Sequence, residues 1–286
     1  MSSTVHTGYA PPTGPRPPAS GSGWPRWLIV ATVAWTVLLA GFTWVSARDD
    51  PPTVREQRTL SQAGPLVDGA IGELVAASDA GVPALAPPEV DRGCRISPFA
   101  EGATLVRAVE VAVPVGEERV LLEQVADRLP ARWRAGVRLT PDGPRLRADA
   151  GEFVTVAGRV VADGRLRLTV DTGCRPVGDG YPGDATGPDG PEASALAEAL
   201  GALGSPATDR QAVVSAPCPN GGAARTVRSA AGSASTSPPA ALAPLAVGTP
   251  VVATPELYAY RRDGVAVLAD LEQDPILLSA TTGCAG

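Results

Sequence analysis

Two sets of residues in this chain have types and spacing that bear on chemistry: four cysteines and a concentration of arginines. Cys94, Cys174, Cys218 and Cys284 stand in the settings "DRGCRIS", "DTGCRPV", "SAPCPNG" and "TTGCAG". None has the C-x-x-C spacing of a zinc or redox site, so an even set of four points to disulfides. The arginines crowd between residues 128 and 175, where ten of them meet five acids in a chain whose net charge is -6. Guanidinium forks pair bidentately with phosphate and carboxylate, so this half of the chain suits an anionic ligand. Arg132, Arg134, Arg138, Arg165 and Arg167 are the candidate anion-binding residues. Arg165 and Arg167 share one strand face by the two-residue period, and Trp133 between Arg132 and Arg134 offers a stacking surface. The competing reading is an ordinary solvated strand face.

Other chemistry is ruled out by composition. The one histidine is His6, and all 24 basic residues are arginine. Beyond residue 47 there is therefore neither His nor Lys, which removes Ser-His-Asp and Cys-His nucleophiles, Ser-Lys dyads, Schiff-base lysines and histidine-ligated metals. No glycine-rich loop ends in Lys-Ser or Lys-Thr to cradle a phosphate. Asp179, Asp184 and Asp189 lack the D-x-D-x-D-G spacing that wraps calcium. Carboxylates are plentiful, but no pair is singled out for acid-base hydrolysis. The expectation is a protein that is not an enzyme and uses no cofactor. An acidic balance, with pI near 4.9, also argues against nucleic acid as a partner.

These residues need elements to position them. Residues 1–25, rich in Pro, Gly, Ser and Thr, read as a disordered tail. Residues 26–47 carry the 19-residue run "WLIVATVAWTVLLAGFTWV", which as a helix covers ~28 Å, close to the thickness of a bilayer core. Trp24, Trp27 and Trp44 lie where indoles favour the interface. This is the expected transmembrane helix. Its fate stays open between retained anchor and signal sequence, because Val45 to Ala47 has the small residues of a cleavage site. Flanking arginines are balanced, so orientation rests on the cysteines, which place the C-terminal region outside and the tail in the cytoplasm.

Past a juxtamembrane linker at 48–59, the chain reads as two copies of one module, residues 60–176 and 192–286, joined by an acidic Gly/Pro linker at 177–191. "EFVTVAGRVVADGRLRLTVDTGC" aligns with "GVAVLADLEQDPILLSATTGC", and a helix-like stretch precedes each copy. Modularity then pairs Cys94 with Cys174 and Cys218 with Cys284, each closure contributing roughly 4 to 4.5 kcal/mol. Leu121, Leu122, Val125 and Leu129 recur at helical spacing before Pro130, while the prolines of "SASTSPPAALAPLAVG" preclude an equally long helix in the second copy. Asp163-Gly164 is a hairpin turn signature. The expected fold is α+β: two tandem disulfide-closed repeats, each helix, strand, helix, antiparallel strands, after one transmembrane helix.

The layout of tail, single apolar helix and disulfide-bearing outer region resembles that of actinobacterial single-pass envelope-anchored proteins, a resemblance of plan that carries no motif and transfers no residue role. Its absence of lysine and its wealth of Ala, Gly, Pro and Val match the codon bias of a GC-rich genome. The functional expectation is a noncatalytic, integral cell-envelope protein whose paired modules bind a membrane-protein partner or an anionic envelope polymer. A small-ligand sensor and a carboxylate-dependent hydrolase are the alternatives. A membrane-impermeant thiol reagent should label the protein in intact cells only after reduction; labelling without reductant would refute the pairing.

Overall fold

The computed structural model describes residues 26–49, 58–183, 187–204, 211–232 and 237–284. The expected tail at 1–25 and most of the linker at 48–59 lie outside the described residues. Two compact units result, one from Met1 to Thr53 and one from Val54 to Gly286. The first contains α1 (Arg26–Asp49), whose stretch Arg26–Trp44 is long and apolar enough to cross a membrane. A membrane anchor and a signal sequence both meet that description.

In the second unit the order is α2 (Leu60–Ala77), β1 (Val82–Leu85), β2 (Glu89–Ser97), β3 (Ala100–Ala112), α3 (Glu118–Arg128), β4 (Gly136–Thr140), β5 (Gly143–Gly151), β6 (Val154–Ala162) and β7 (Arg165–Asp171). It continues with α4 (Pro191–Ala202), β8 (Ala212–Pro217), β9 (Ala223–Ala231), α5 (Pro238–Leu242), β10 (Val252–Ala253), β11 (Leu257–Arg262), β12 (Val265–Asp270) and β13 (Ile276–Thr282). The result is mixed α+β with strands dominant. One strand was expected between the two helices of the first half; the structure has three, because the turn at Pro98 and Phe99 folds that segment into the β2–β3 hairpin and "VPAL" forms β1. The expected helix before Pro130 is α3, and the proline-rich counterpart shrinks to the five residues of α5.

Both sheets are antiparallel. The first runs β1-β3-β7-β6-β5-β4 with β2 also on β3, and the second runs β10-β11-β12-β13-β9-β8. Disulfides Cys94–Cys174 and Cys218–Cys284 close separations of 80 and 66 residues. Gly102 has to lack a side chain here: a Cβ would stand 2.5 Å from the carbonyl oxygen of Arg175 and 2.9 Å from Cys174 Sγ.

Burial explains the layering. A capping box starts α2: the Gln62 backbone N–H donates to Thr59 Oγ1 while the Thr59 N–H donates to Gln62 Oε1. Leu60, Val67, Ile71 and Leu74 of α2 then pack with Leu121, Leu122 and Val125 of α3 against Leu105, Val109, Leu146, Val156, Leu166 and Leu168 of the first sheet. On the second sheet, Leu196, Ala199 and Leu200 of α4 cover Val227, Tyr258, Tyr260, Val267 and Leu278. The other faces meet through small residues, Val82, Ala84 and Ala112 against Leu257, Ala259, Ala266 and Leu268. The core of α2 also takes in Val214, Ala216 and Ala224 of β8 and β9, and Gly72 lies so close to the Pro217 carbonyl oxygen that a Cβ would be 1.8 Å from it. The two halves thus share apolar surface beyond their own sheets.

A buried arginine joins them further. Arg107 on β3 is 1% exposed and pairs with Asp68 of α2. Its guanidinium also donates to Tyr181 Oη at 3.2 Å and to the Ser215 carbonyl oxygen at 2.8 Å, and the Tyr181 hydroxyl donates to Asp68 at 2.8 Å. Tyr181 belongs to the segment read as an acidic linker, whose Asp189 in turn pairs with Arg225 of β9 at 2.7 Å. Asp68→Asn should destabilise folding by about 3 kcal/mol in chemical denaturation, since it removes a counter-charge from beside a buried guanidinium. The paired replacement Asp68→Leu with Arg107→Met should recover most of that loss; failure of the pair to do better than Asp68→Asn would show that the ion pair is not what the position requires.

Candidate anion-binding site

The arginine-rich segment folds into β4 to β7 and their turns, and strand periodicity sorts its side chains. Leu146, Val156, Leu166 and Leu168 point to the helices and are fully buried, so the residues between them point to the opposite face. Register then places arginines side by side. Arg138 of β4 lies opposite Arg145 of β5, Arg145 opposite Arg159 of β6, and Arg159 opposite Arg167 of β7. The row ends where Arg167 lies opposite Glu110 of β3, and Glu110 opposite Ala84 of β1, beneath the second sheet. Two residues along, Arg147 stands between Gly136 and Ala157, followed by Thr169.

The row is uneven in its partners. At its inner end Arg167 pairs with Glu89 at 3.1 Å and lies 3.6 Å from Glu110. Arg145 has the exposed Asp142 at 3.6 Å, and Arg134, beside the row, has Asp149 at 3.8 Å. Arg138, Arg147 and Arg159 are exposed and have no carboxylate within ion-pair distance among the described residues. Like charges directly opposite on neighbouring strands are destabilising, so four in succession is a local cost that nothing in the packing of the sheet requires.

Two hollows lie on this face. One, of about 240 Å³, has Arg145, Arg147, Arg159 and Arg167 around Ala157 and Thr169. The other, of about 370 Å³, has Arg134, Arg138 and Arg147 around Gly136 and Val137. Arg147 belongs to both.

The residues singled out by sequence divide accordingly. Arg134 and Arg138 are on the open face. Arg165, one of the pair expected to mark it, instead makes a two-pronged contact with Asp270 of β12, at 2.8 and 3.0 Å, with side chains 11% and 5% exposed. Burial works against the Arg165 charge, yet hydrogen bonding and attraction from Asp270, helped by Glu110 and Glu272, outweigh it and raise its pKa above the ordinary value. Beside it Arg228 is 8% exposed, and there burial prevails over Glu110 and Asp270, lowering its pKa, with Arg167 adding repulsion. Arg132 lies apart from the row, in a single 3-10 turn, at a hollow beside α2 and Cys218. Trp133 offers no stacking surface: it is 3% exposed and packs in the core, because that turn directs it at β5. Arg175 is also inside, its Nε donating to the Thr172 carbonyl oxygen at 2.9 Å and its terminal nitrogens to the carbonyl oxygens of Glu152 and Arg58.

Sequence reading missed Arg145, Arg147 and Arg159 as site residues. "PRLRAD" has the same alternation as "GRLRL", and Arg159 sits four residues before the Asp163-Gly164 turn. Counting outward from that turn sets Arg159 opposite Leu168; the register shift between Val160 and Ala162 is what brings it opposite Arg167, and nothing in the sequence marks that bulge.

A third hollow, of about 250 Å³ between α4 and β11–β12, includes Glu198, Tyr260 and Arg262, and the Arg262–Glu198 ion pair at 3.0 Å lies within it. Burial pushes the Tyr260 hydroxyl up to about 12, so it stays protonated and neutral across the physiological range. At this volume it falls below the range of pockets that enclose cofactor-sized ligands. Among the described residues there is no group of three or more His, Cys, Asp and Glu placed to hold a metal ion. Comparison with family models, curated proteins and solved structures returned no match for this chain.

Arg159→Gln should raise stability by a few tenths of a kcal/mol at low salt, by relieving repulsion from Arg145 and Arg167. Arg165→Gln should lower it by well over 1 kcal/mol, because Asp270 would stay buried without its partner. Thermal denaturation of both variants checks the pair; destabilisation by Arg159→Gln would show that the row supports the fold.

Proposed function

We propose that this chain is a noncatalytic, membrane-anchored protein of the cell envelope whose folded region binds an anionic envelope component. The observation that carries this reading is the row of arginines in register across β4 to β7, in which Arg138 and Arg159, like Arg147 beside them, are without a carboxylate partner among the described residues. A row that costs stability and plays no part in packing is what an anion-binding face requires. Arg165 and Arg167 then support the face from its inner end, while Arg138, Arg145, Arg147 and Arg159 meet the ligand.

We further propose that the folded region is two copies of one module, residues 60–176 and 192–286, with the N-terminus in the cytoplasm and the modules outside. Support for the repeat comes from strand order. Read from its own first hairpin strand, the first sheet is β2-β3-β7-β6-β5-β4 and the second is β8-β9-β13-β12-β11-β10. Each disulfide joins the region of the first hairpin strand to the residues just past the last strand. The disulfides also suit an oxidising compartment. On this reading one copy kept an arginine face, and the other turned the equivalent side of its sheet toward its neighbour.

The test is calorimetric titration of the full chain, held in a zwitterionic lipid disc, with long-chain inorganic polyphosphate at low and physiological salt. Binding should weaken as salt rises, and Arg145→Gln with Arg159→Gln should weaken it by about tenfold, as expected for the loss of two exposed ion pairs. Absence of binding at low salt would refute the proposal.

A further inference from the structure

Resting on the anion-binding reading above, we infer that the ligand of this face is a linear polyanion that lies along the arginine row, at right angles to the strands. The pattern of charge is a stripe. Arg138, Arg145, Arg159 and Arg167 follow one another across four neighbouring strands, a row of about 14 Å at ~4.8 Å per strand. Arg147 stands beside them, flanked by Gly136 and Ala157, whose small side chains leave the two hollows that it joins.

Acids border the stripe. Asp149 and Asp171 occupy the same row as Thr155, two residues beyond Ala157, and their carboxylates accept from the backbone N–H groups of Gly151 and Gly173 at 2.8 and 2.7 Å. At the inner end stand Glu89 and Glu110. A flat array of lipid phosphates laid on this face would meet these carboxylates as well as the arginines. A chain of oxyanions following the row meets successive arginines, with Asp142 beside Arg145 the one acid to displace before it reaches Glu89 and Glu110, which stop it. Attraction is thus confined to a line closed at one end.

The same geometry separates a polymer from a single small anion. Four arginines surround the hollow at Ala157 and Thr169, but none of them is buried: Arg147 and Arg159 are exposed and Arg145 and Arg167 half-buried, on neighbouring strands, so the hollow lacks the enclosed donors that hold an isolated phosphate. Occupancy therefore grows by engaging successive arginines with one chain, the arithmetic of linked binding events. Single-stranded nucleic acid is a poorer fit, since none of the residues lining the two hollows is aromatic and bases would find no face to stack on. The chemistry recognised is the repeated oxyanion, either phosphate or carboxylate.

The experiment uses the full chain in zwitterionic lipid discs and four probes: inorganic phosphate, polyphosphates of increasing length, poly-glutamate, and vesicles of phosphatidylglycerol. Affinity for polyphosphate should climb with length until the chain spans the row, ending roughly 100-fold or more above inorganic phosphate. Arg138→Gln together with Arg159→Gln should flatten that dependence on length. Binding of poly-glutamate as well would assign the site to oxyanions in general, and its failure would assign it to phosphate; both support a linear ligand. Inorganic phosphate binding as tightly as the long chains, or vesicles outcompeting them, would overturn this inference and leave the anion-binding reading standing. Silence from all four probes would overturn both.

Discussion

A guanidinium buried to 1% exposure has to find a carboxylate and acceptors for its terminal nitrogens, and Arg107 finds them by drawing together segments remote in sequence. Asp68 comes from the helix that opens the folded region, Tyr181 from the connection between the two sheets, and the Ser215 carbonyl from a strand of the second sheet. Leaving any of these out would strand polar groups in a low-dielectric interior, at several kcal/mol for the charge itself. This constraint turns two sheets that each have their own helix and disulfide into one folded unit. Apolar burial joins the sheets as well, through alanines, valines and the leucines Leu257 and Leu268, but it is less directional than the Arg107 contacts.

Charge in this molecule therefore has two roles that sequence alone does not separate. Arg107, Arg165, Arg175 and Arg228 are inside, matched to carboxylates or carbonyl oxygens. Arg138, Arg147 and Arg159 are outside, matched to nothing in the described protein but each other's repulsion. The boundary between the groups falls at β7, where the second sheet stops covering the first: Arg165 is beneath it, and Arg167 is at its margin with 28% of its side chain exposed. An acidic chain thereby carries a local positive stripe.

Much of the fold was legible because local chemistry and period agree. The run from Trp27 to Val45, the Leu121 to Leu129 spacing before Pro130, the Asp163-Gly164 turn and the cysteine pairs each point to one structure. The β2–β3 hairpin was harder, since "GCRISPFAEG" has no alternation around its turn and β2 is exposed along most of its length. The site was half legible. Period two identifies which arginines share a face within one strand, but the register shift in β6 that aligns Arg159 with Arg167 is not marked in the sequence, whether the face is covered depends on where a second sheet lands, and nothing near Arg165 announces Asp270, 105 residues away. Trp133 was misread for a related reason: flanking arginines suggest exposure, whereas a 3-10 turn can aim the residue between them inward.

Several arginines grip main-chain oxygens: the exposed Arg261 holds those of Asp79 and Gly81, while the buried Arg228 holds that of Leu85 and the buried Arg175 those of Thr172, Glu152 and Arg58. A carbonyl oxygen is the same acceptor whatever side chain its residue bears. The gripped segments are thus free to drift in sequence while the arginine is not, and lysine, with its single nitrogen, does not reproduce the fork. Evolution at these contacts is one-sided: descendants of this fold would preserve scattered arginines and lose the recognisable words around them.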